Sequence, residues 1–354
     1  MQFKMERLGE FLACAKRVVK ARNTMPVLQN VMVAGKGKYA EITATDLETT
    51  VVGNVPLESP DNSEMLINLK ILADILDKNY APDGLIMLTG SSGQVEIKTP
   101  YSTYRLAAIP VSEFPPVNPA YREENSAAIE PRLLKIMSQI VKKEGGRSLD
   151  GIFFGPGRVV ATDGHGLFKL STECNIRARL SKTGAAILAD LMINSAHRRN
   201  NEQSMEKLCF ANNNFCYRDA AILASVRADE DNPAPDVDKV IKYGGTILEV
   251  SRYELEAILD RLMIIDPKDV QIDISAEGTV VLKSSTPELG SAEASFIGEV
   301  SGGPVTVHLN PSYLMMGLSA YRGGDVKIHF NGPNEVICLK DGNLEYALMP
   351  RRGD

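Results

Sequence analysis

Little in this chain is equipped for catalysis or for holding a metal. Its five cysteines, Cys14, Cys174, Cys209, Cys216 and Cys338, form an odd set with no C-x-x-C spacing, which fits reduced thiols better than a disulfide framework or a zinc site. Only four histidines occur, His165, His197, His308 and His329, well separated in sequence. There is no G-x-x-x-x-G-K-S/T phosphate loop, no G-x-G-x-x-G after a strand, no H-E-x-x-H and no G-x-S-x-G, so the usual nucleotide, zinc-hydrolase and serine-nucleophile signatures are missing. No apolar run approaches the roughly 18 residues that cross a bilayer. The opening MQFKMERLGEF also lacks the apolar core of a secretion signal. The expectation is a soluble, cytoplasmic protein with no cofactor, metal or membrane partner.

What the sequence does have is repetition. In residues 305–324 a short strand with Val305, Val307 and Leu309 alternating stops at Asn310-Pro311, and apolar residues at helical spacing follow, Leu314, Met315 and Leu318. Asn is a preferred N-cap, because its side chain accepts from the orphan amides of the first turn, and Pro at the first helical position forfeits a donor that would be unpaired anyway. Versions of this strand, cap and helix recur at Asn68, Ser181, Pro131 and residues 3–5, and at Ser251, where Glu254 three residues on completes a capping box.

A coarser period supports the finer one. Ala44-Thr45-Asp46 ends one alternating strand and Ala161-Thr162-Asp163 ends another 117 residues later, close to a third of the 354-residue chain. Residues 106–110 and 346–350 are likewise similar strand ends, two such periods apart. A chain of this length with 44% hydrophobic residues exceeds what one core usually supports. Three similar domains are expected, at 1–122, 123–244 and 245–354. Proline at 110, 115, 116 and 119 marks the first exit, and residues 227–239, with two prolines and five acids, read as a loop. Helices at 69–79, 131–143, 182–195, 252–265 and 311–321 interleave with alternating runs, giving an α+β fold of helices packed on antiparallel sheets. The sheet edges at the domain ends invite pairing.

The formal net charge of −6 argues against a grip on nucleic acid through overall charge, yet the basic residues are concentrated. The first helix carries Lys16, Arg17, Lys20 and Arg22, the third Arg132, Lys135, Lys142 and Lys143, and the fourth ends in His197, Arg198 and Arg199. Such helices can present a positive surface to phosphates; they are equally the solvated faces that a helix C-terminus favours. Asp163 and His165, two apart in a glycine turn, are the sharpest polar pair. Without further ligand spacing or a nucleophile motif they suit a binding rim better than a hydrolytic or metal site.

Taken together, the three repeats, the Thr162-Asp163-Gly164-His165 turn, the TMPVLQNV stretch at 24–31, Glu113-Phe114-Pro115 and the ending Tyr346-Ala347-Leu348-Met349-Pro350 resemble the β sliding clamp family of bacterial DNA polymerase III over essentially the whole chain. The resemblance implies a non-catalytic ring of two subunits joined head to tail, each of three DNA-clamp domains, with helices lining the hole and sheets outside. It implies sequence-independent contact with double-stranded DNA through Arg22, Lys143 and Lys182, with Lys20 and Lys142 as neighbours. It implies a hydrophobic cleft for a short linear motif at Leu149, Thr162, Gly164, His165, Gly166, Leu167, Pro235, Lys239, Val240, Val336, Met349 and Pro350. The cleft's implied partners are the replicative polymerase, clamp loader subunits, repair polymerases and mismatch-repair proteins. The homodimer joint would set Tyr104 and Leu106 against Leu262, Met263, Ile264 and Ile265. Gly166 and Arg351 depart from the family's usual larger basic and apolar residues, which implies an altered pocket entrance. Two other readings stand beside the clamp: an enzyme using Asp163 and His165, and a peptide-binding repeat protein that never encircles DNA.

Overall fold

The computed structural model describes residues 1–19, 25–91, 93–117, 119–141, 149–201, 205–229 and 234–351. The chain forms two compact units, Met1–Ser126 with Ile187–Ala228 and Ala127–Ala186 with Asp229–Asp354. The middle of the sequence is thus shared between them. Helices alternate with antiparallel strands throughout, as the interleaved periodicities require.

In the first unit, strands Gln2–Lys4, Leu85–Ser91, Gln94–Lys98 and Thr103–Ala107 form one sheet in that order. A second runs through Glu64–Asn68, Asn30–Gly35, Gly37–Thr45, Thr49–Asp61, Ile222–Arg227, Asn214–Arg218 and Glu206–Ala211. Its central pairing sets Thr49 opposite Val226 and Gly53 opposite Ile222, so an edge left open by residues from the first third of the sequence is closed by residues from the second. Helix Met5–Val18 buries Met5, Leu8, Phe11, Leu12, Ala15 and Val18, the three- and four-residue spacing of one helical face. Helix Leu69–Lys78 lies beside it, capped by the Asn68 side chain, which accepts from the Ile71 amide.

The second unit repeats the device. Strands Ala178–Leu180, Ile152–Gly155, Arg158–Thr162, Gly166–Ser171, Leu344–Leu348, Ile337–Asp341, Asp325–Phe330, Thr246–Ser251 and Glu299–Ser301 make one sheet. Here Gly166 pairs with Leu348 and Phe168 with Tyr346, joining the middle of the sequence to its end. The other sheet is Gly290–Ile297, Thr279–Thr286, Val270–Ile274 and Val305–Leu309.

Most of the expected helix starts form as the sequence implies. Asn310 accepts from the Ser312 amide with Pro311 at the first helical position, and Ser181 Oγ accepts from the Gly184 amide at 3.1 Å, opening helix Lys182–Arg198. Helix Pro131–Ile140 begins on its proline. The capping box at Ser251 does not form, since that side chain makes no cap bond. The first amide of this helix, that of Arg252, donates to the Gly324 carbonyl at 2.7 Å, a partner from another segment. All five cysteines are buried free thiols. Among the described residues no helix is long and apolar enough to cross a membrane, and no group of three His, Cys, Asp or Glu could hold a metal.

Candidate functional site

The turn between strands Arg158–Thr162 and Gly166–Ser171 is built by its own side chains. Thr162 Oγ1 donates to the Gly166 carbonyl at 2.7 Å and accepts from the Gly164 amide at 3.1 Å. Asp163 Oδ1 accepts from the His165 and Gly166 amides at 2.9 and 3.0 Å. Gly164 sits at φ +90°, where a residue without a Cβ is at ease. The turn also reaches outward: the His165 carbonyl receives the Met349 amide at 2.8 Å, and Asp163 Oδ2 receives the Tyr313 hydroxyl.

Beside this turn lies a cavity of about 200 Å³. Thr162, Gly164, His165, Gly166, Leu167, Pro235, Val240, Val336 and Met349 line it together with Asp236, Val237, Ala347 and Leu348. The structure therefore gathers residues separated by more than a hundred positions into one recess. Its floor is the core cluster of Phe153, Val160, Leu167, Val237, Val336, Cys338 and Ala347. Leu149, Lys239 and Pro350 do not line it. Lys239 is 90% exposed and Leu149 half-buried. Ala347 shares its face with Met349, two residues on, so strand alternation would have found it. Asp236 and Val237 sit in the proline-broken segment and had no such signal. Arg351 turns away, donating to the Lys268 carbonyl at 2.8 Å and facing Asp269, while its amide donates to the His308 carbonyl at 2.7 Å. An apolar recess with a few fixed polar groups at its rim is suited to an apolar side chain presented on an extended peptide.

The basic helices are less free than their sequences suggest. Lys16 pairs with Asp77 and Arg17 with Asp190, Arg198 with Asp219 and Arg199 with Glu206. Lys182 Nζ donates to the Val141 carbonyl at 2.6 Å. Lys20, Arg22, Lys142 and Lys143 lie outside the described residues. Lys16, Arg17 and Lys70 line a hollow of about 690 Å³ with Val19, Leu69 and Ile71. Lys70 is exposed at the start of its helix, a cation that reading only helix C-termini passes over.

Among the described residues, strand Thr103–Ala107 bonds only to Gln94–Lys98, and Gly290–Ile297 only to Thr279–Thr286. On the first, Tyr104 and Leu106 are half-buried between exposed neighbours. Among the residues 262–265, Leu262 is in the core at 2% exposure, Met263 and Ile265 are intermediate, and Ile264 is 74% exposed. Ile297 and Leu289, which the sequence did not single out, are 85% and 66% exposed.

Residues 1–118 match the family described as DNA polymerase III beta subunit, N-terminal domain, and residues 242–352 match its C-terminal domain. The chain belongs to the DNA polymerase III beta subunit family. The beta sliding clamp of Pseudomonas aeruginosa is 24% identical over 376 residues, spanning 99% of this chain and all of its own length. That of Caulobacter vibrioides is 24% identical over 383 residues, again with 99% and 100% covered. In solved structures, the Pseudomonas aeruginosa DnaN sliding clamp (DNA polymerase III subunit beta), bound to griselimycin, superposes with TM-score 0.87 at 23% identity over 100% of this chain and 99% of that one. The Thermotoga maritima beta subunit superposes with TM-score 0.81 at 20% identity and the same coverage. The α+β clamp fold, three domains of helices on antiparallel sheets, is therefore shared along the full beta-subunit chain, beyond the segments at either end that match the family directly.

Proposed function

We infer that this protein is a DNA sliding clamp, the non-catalytic processivity subunit of a bacterial DNA polymerase III, working in the cytoplasm on DNA and with a polymerase. The observation that carries this reading is the full-length likeness to beta sliding clamps combined with the apolar recess beside Thr162, Gly164, His165 and Met349. In this reading the three domains fall near 1–122, 123–244 and 245–354, and two copies close head to tail around the duplex. Retention is then topological: phosphate contacts stay weak, no base is read, and the ring slides. Lys182 with Lys20, Arg22, Lys142 and Lys143 would face the phosphates, and Lys70 joins them as a candidate. The recess would take the hydrophobic anchor of a linear motif from the polymerase, the loader or repair and mismatch-repair proteins. The subunit joint would add edge strand Thr103–Ala107 of one copy to edge strand Gly290–Ile297 of the other.

Asp163 is poorly suited to the enzyme reading, because its carboxylate oxygens are engaged by two turn amides and a tyrosine hydroxyl. The deciding experiment loads the protein onto a nicked circular plasmid with a bacterial clamp loader and ATP, then cuts the plasmid once. A clamp stays with the circle through gel filtration in high salt and is released on linearisation. Failure of a clamp loaded in this way to stay on the circle, or equal retention on the linear form, would overturn the reading.

A further inference from the structure

The cleft turn is tied to a helix some 150 residues away by a side-chain contact. Asp163 uses one carboxylate oxygen for the amides of its own turn, at 2.9 and 3.0 Å from His165 and Gly166, and the other for the hydroxyl of Tyr313 on helix Pro311–Ala320. The turn in its own right holds the far wall of the cleft, since the His165 carbonyl accepts the Met349 amide at 2.8 Å. Tyr313 is itself fixed from below, its carbonyl accepting the Tyr346 hydroxyl at 2.7 Å. Its ring lies 6.2 Å from that of His165. The ring comes so close because residue 166 is glycine: a Cβ there would stand 2.9 Å from Tyr313 Cδ1 and 2.7 Å from Ile140 Cδ1.

We propose that Tyr313 and Asp163 are positioning residues of the cleft, a phenol–carboxylate latch that sets the distance between its two walls, His165 on the turn and Met349 on the tail. The latch matters to binding only on the reading that the cleft takes a peptide. A hydrophobic anchor needs both walls at van der Waals distance at once, and a turn free to swing loses the Met349 wall together with its own.

The test uses the full chain. Amide exchange is followed by mass spectrometry over residues 162–167 and 345–351, and binding is followed with a short fluorescent peptide carrying Leu and Phe anchors. Tyr313→Phe keeps the ring and removes the donor. It is expected to speed exchange in those two segments while strand Val270–Ile274 in the other sheet of the same unit stays protected. Peptide affinity is expected to fall about three- to tenfold, the range for one net hydrogen bond. Asp163→Asn retains an acceptor for the turn amides and gains an amide that can donate to the phenol oxygen, so it is expected to behave as the unaltered protein; Asp163→Ala is expected to be worse than Tyr313→Phe. Unchanged exchange and affinity in Tyr313→Phe, or an Asp163→Asn protein as impaired as Asp163→Ala, would overturn the latch. An unaltered protein that fails to bind the peptide would sink the peptide reading of the cleft, and the exchange data would still decide the latch.

Discussion

Two turns, far apart in sequence, are the same object at the level of single atoms. In the first, Thr45 Oγ1 donates to the Thr49 carbonyl at 3.0 Å and accepts from the Leu47 amide at 3.0 Å, while Asp46 Oδ1 accepts from Glu48 and Thr49 at 3.1 and 2.7 Å. In the second, Thr162 and Asp163 make the corresponding bonds, and Gly164 at φ +90° stands where Leu47 is held at +74°. The recurring Ala-Thr-Asp tripeptide is thus a turn-closing device, legible because its chemistry is local. What each turn then touches was not legible: the tie from Asp163 to Tyr313 depends on tertiary pairing that no spacing encodes. Thr162→Val removes a buried donor and acceptor in one step and is expected to cost about 1–3 kcal/mol, read as a lowered urea midpoint. Thr45→Val is expected to cost a similar amount in the first unit. A midpoint unmoved by either change would mean the hydroxyl is not what closes these turns.

At the scale of the element, the caps show where sequence suffices. Asn68, Ser181 and Asn310 accept amides of the helices they precede, because an N-cap needs only its own helix. Ser251 carries the same signature and does otherwise: the Gly324 carbonyl satisfies the Arg252 amide, and the Arg252 guanidinium donates to the Tyr321 carbonyl at 2.6 Å. Another segment thus serves the first amide of this helix, and nothing within four residues of Ser251 foretells it. Asn68→Ala and Asn310→Ala are therefore each expected to lower stability by ~1 kcal/mol, whereas Ser251→Ala should stay within about 0.5 kcal/mol, the range of a surface change without such a role. Thermal unfolding of the three variants side by side gives the ordering, and a Ser251→Ala loss as large as the other two would contradict it. The charge on the helices depends on tertiary partners in the same way. Lys16, Arg17, Arg198 and Arg199 sit on the expected helices, but each meets a carboxylate of its own unit, so the free positive surface is smaller than the helix sequences imply.

For the whole molecule, what matters is the edges. The long sheets close across the thirds of the sequence, at Thr49–Asp61 with Ile222–Arg227 and at Gly166–Ser171 with Leu344–Leu348. The four-stranded sheets do not: among the described residues, Thr103–Ala107 and Gly290–Ile297 each end a sheet with one side of the ladder unpaired. An open edge with exposed apolar side chains is a template for another chain, and Ile297 at 85% exposure and Leu289 at 66% put such side chains on or beside the second edge. The two edges carry different side chains, Tyr104 and Leu106 on one and Ile297 on the other, and they belong to different units of the chain, so a joint that pairs one edge with the other is not a self-pairing. Such a pairing is a head-to-tail joint, and two of them in a dimer make a closed ring. The protein is accordingly expected to scatter light with twice its 38.6 kDa chain mass. Ile297→Asp combined with Ile264→Asp is expected to return it to one chain mass with its secondary structure intact, because both side chains are exposed and leave the cores untouched. A double variant that remains a dimer would place the joint elsewhere, and an unaltered protein that is monomeric at every concentration would remove the ring itself.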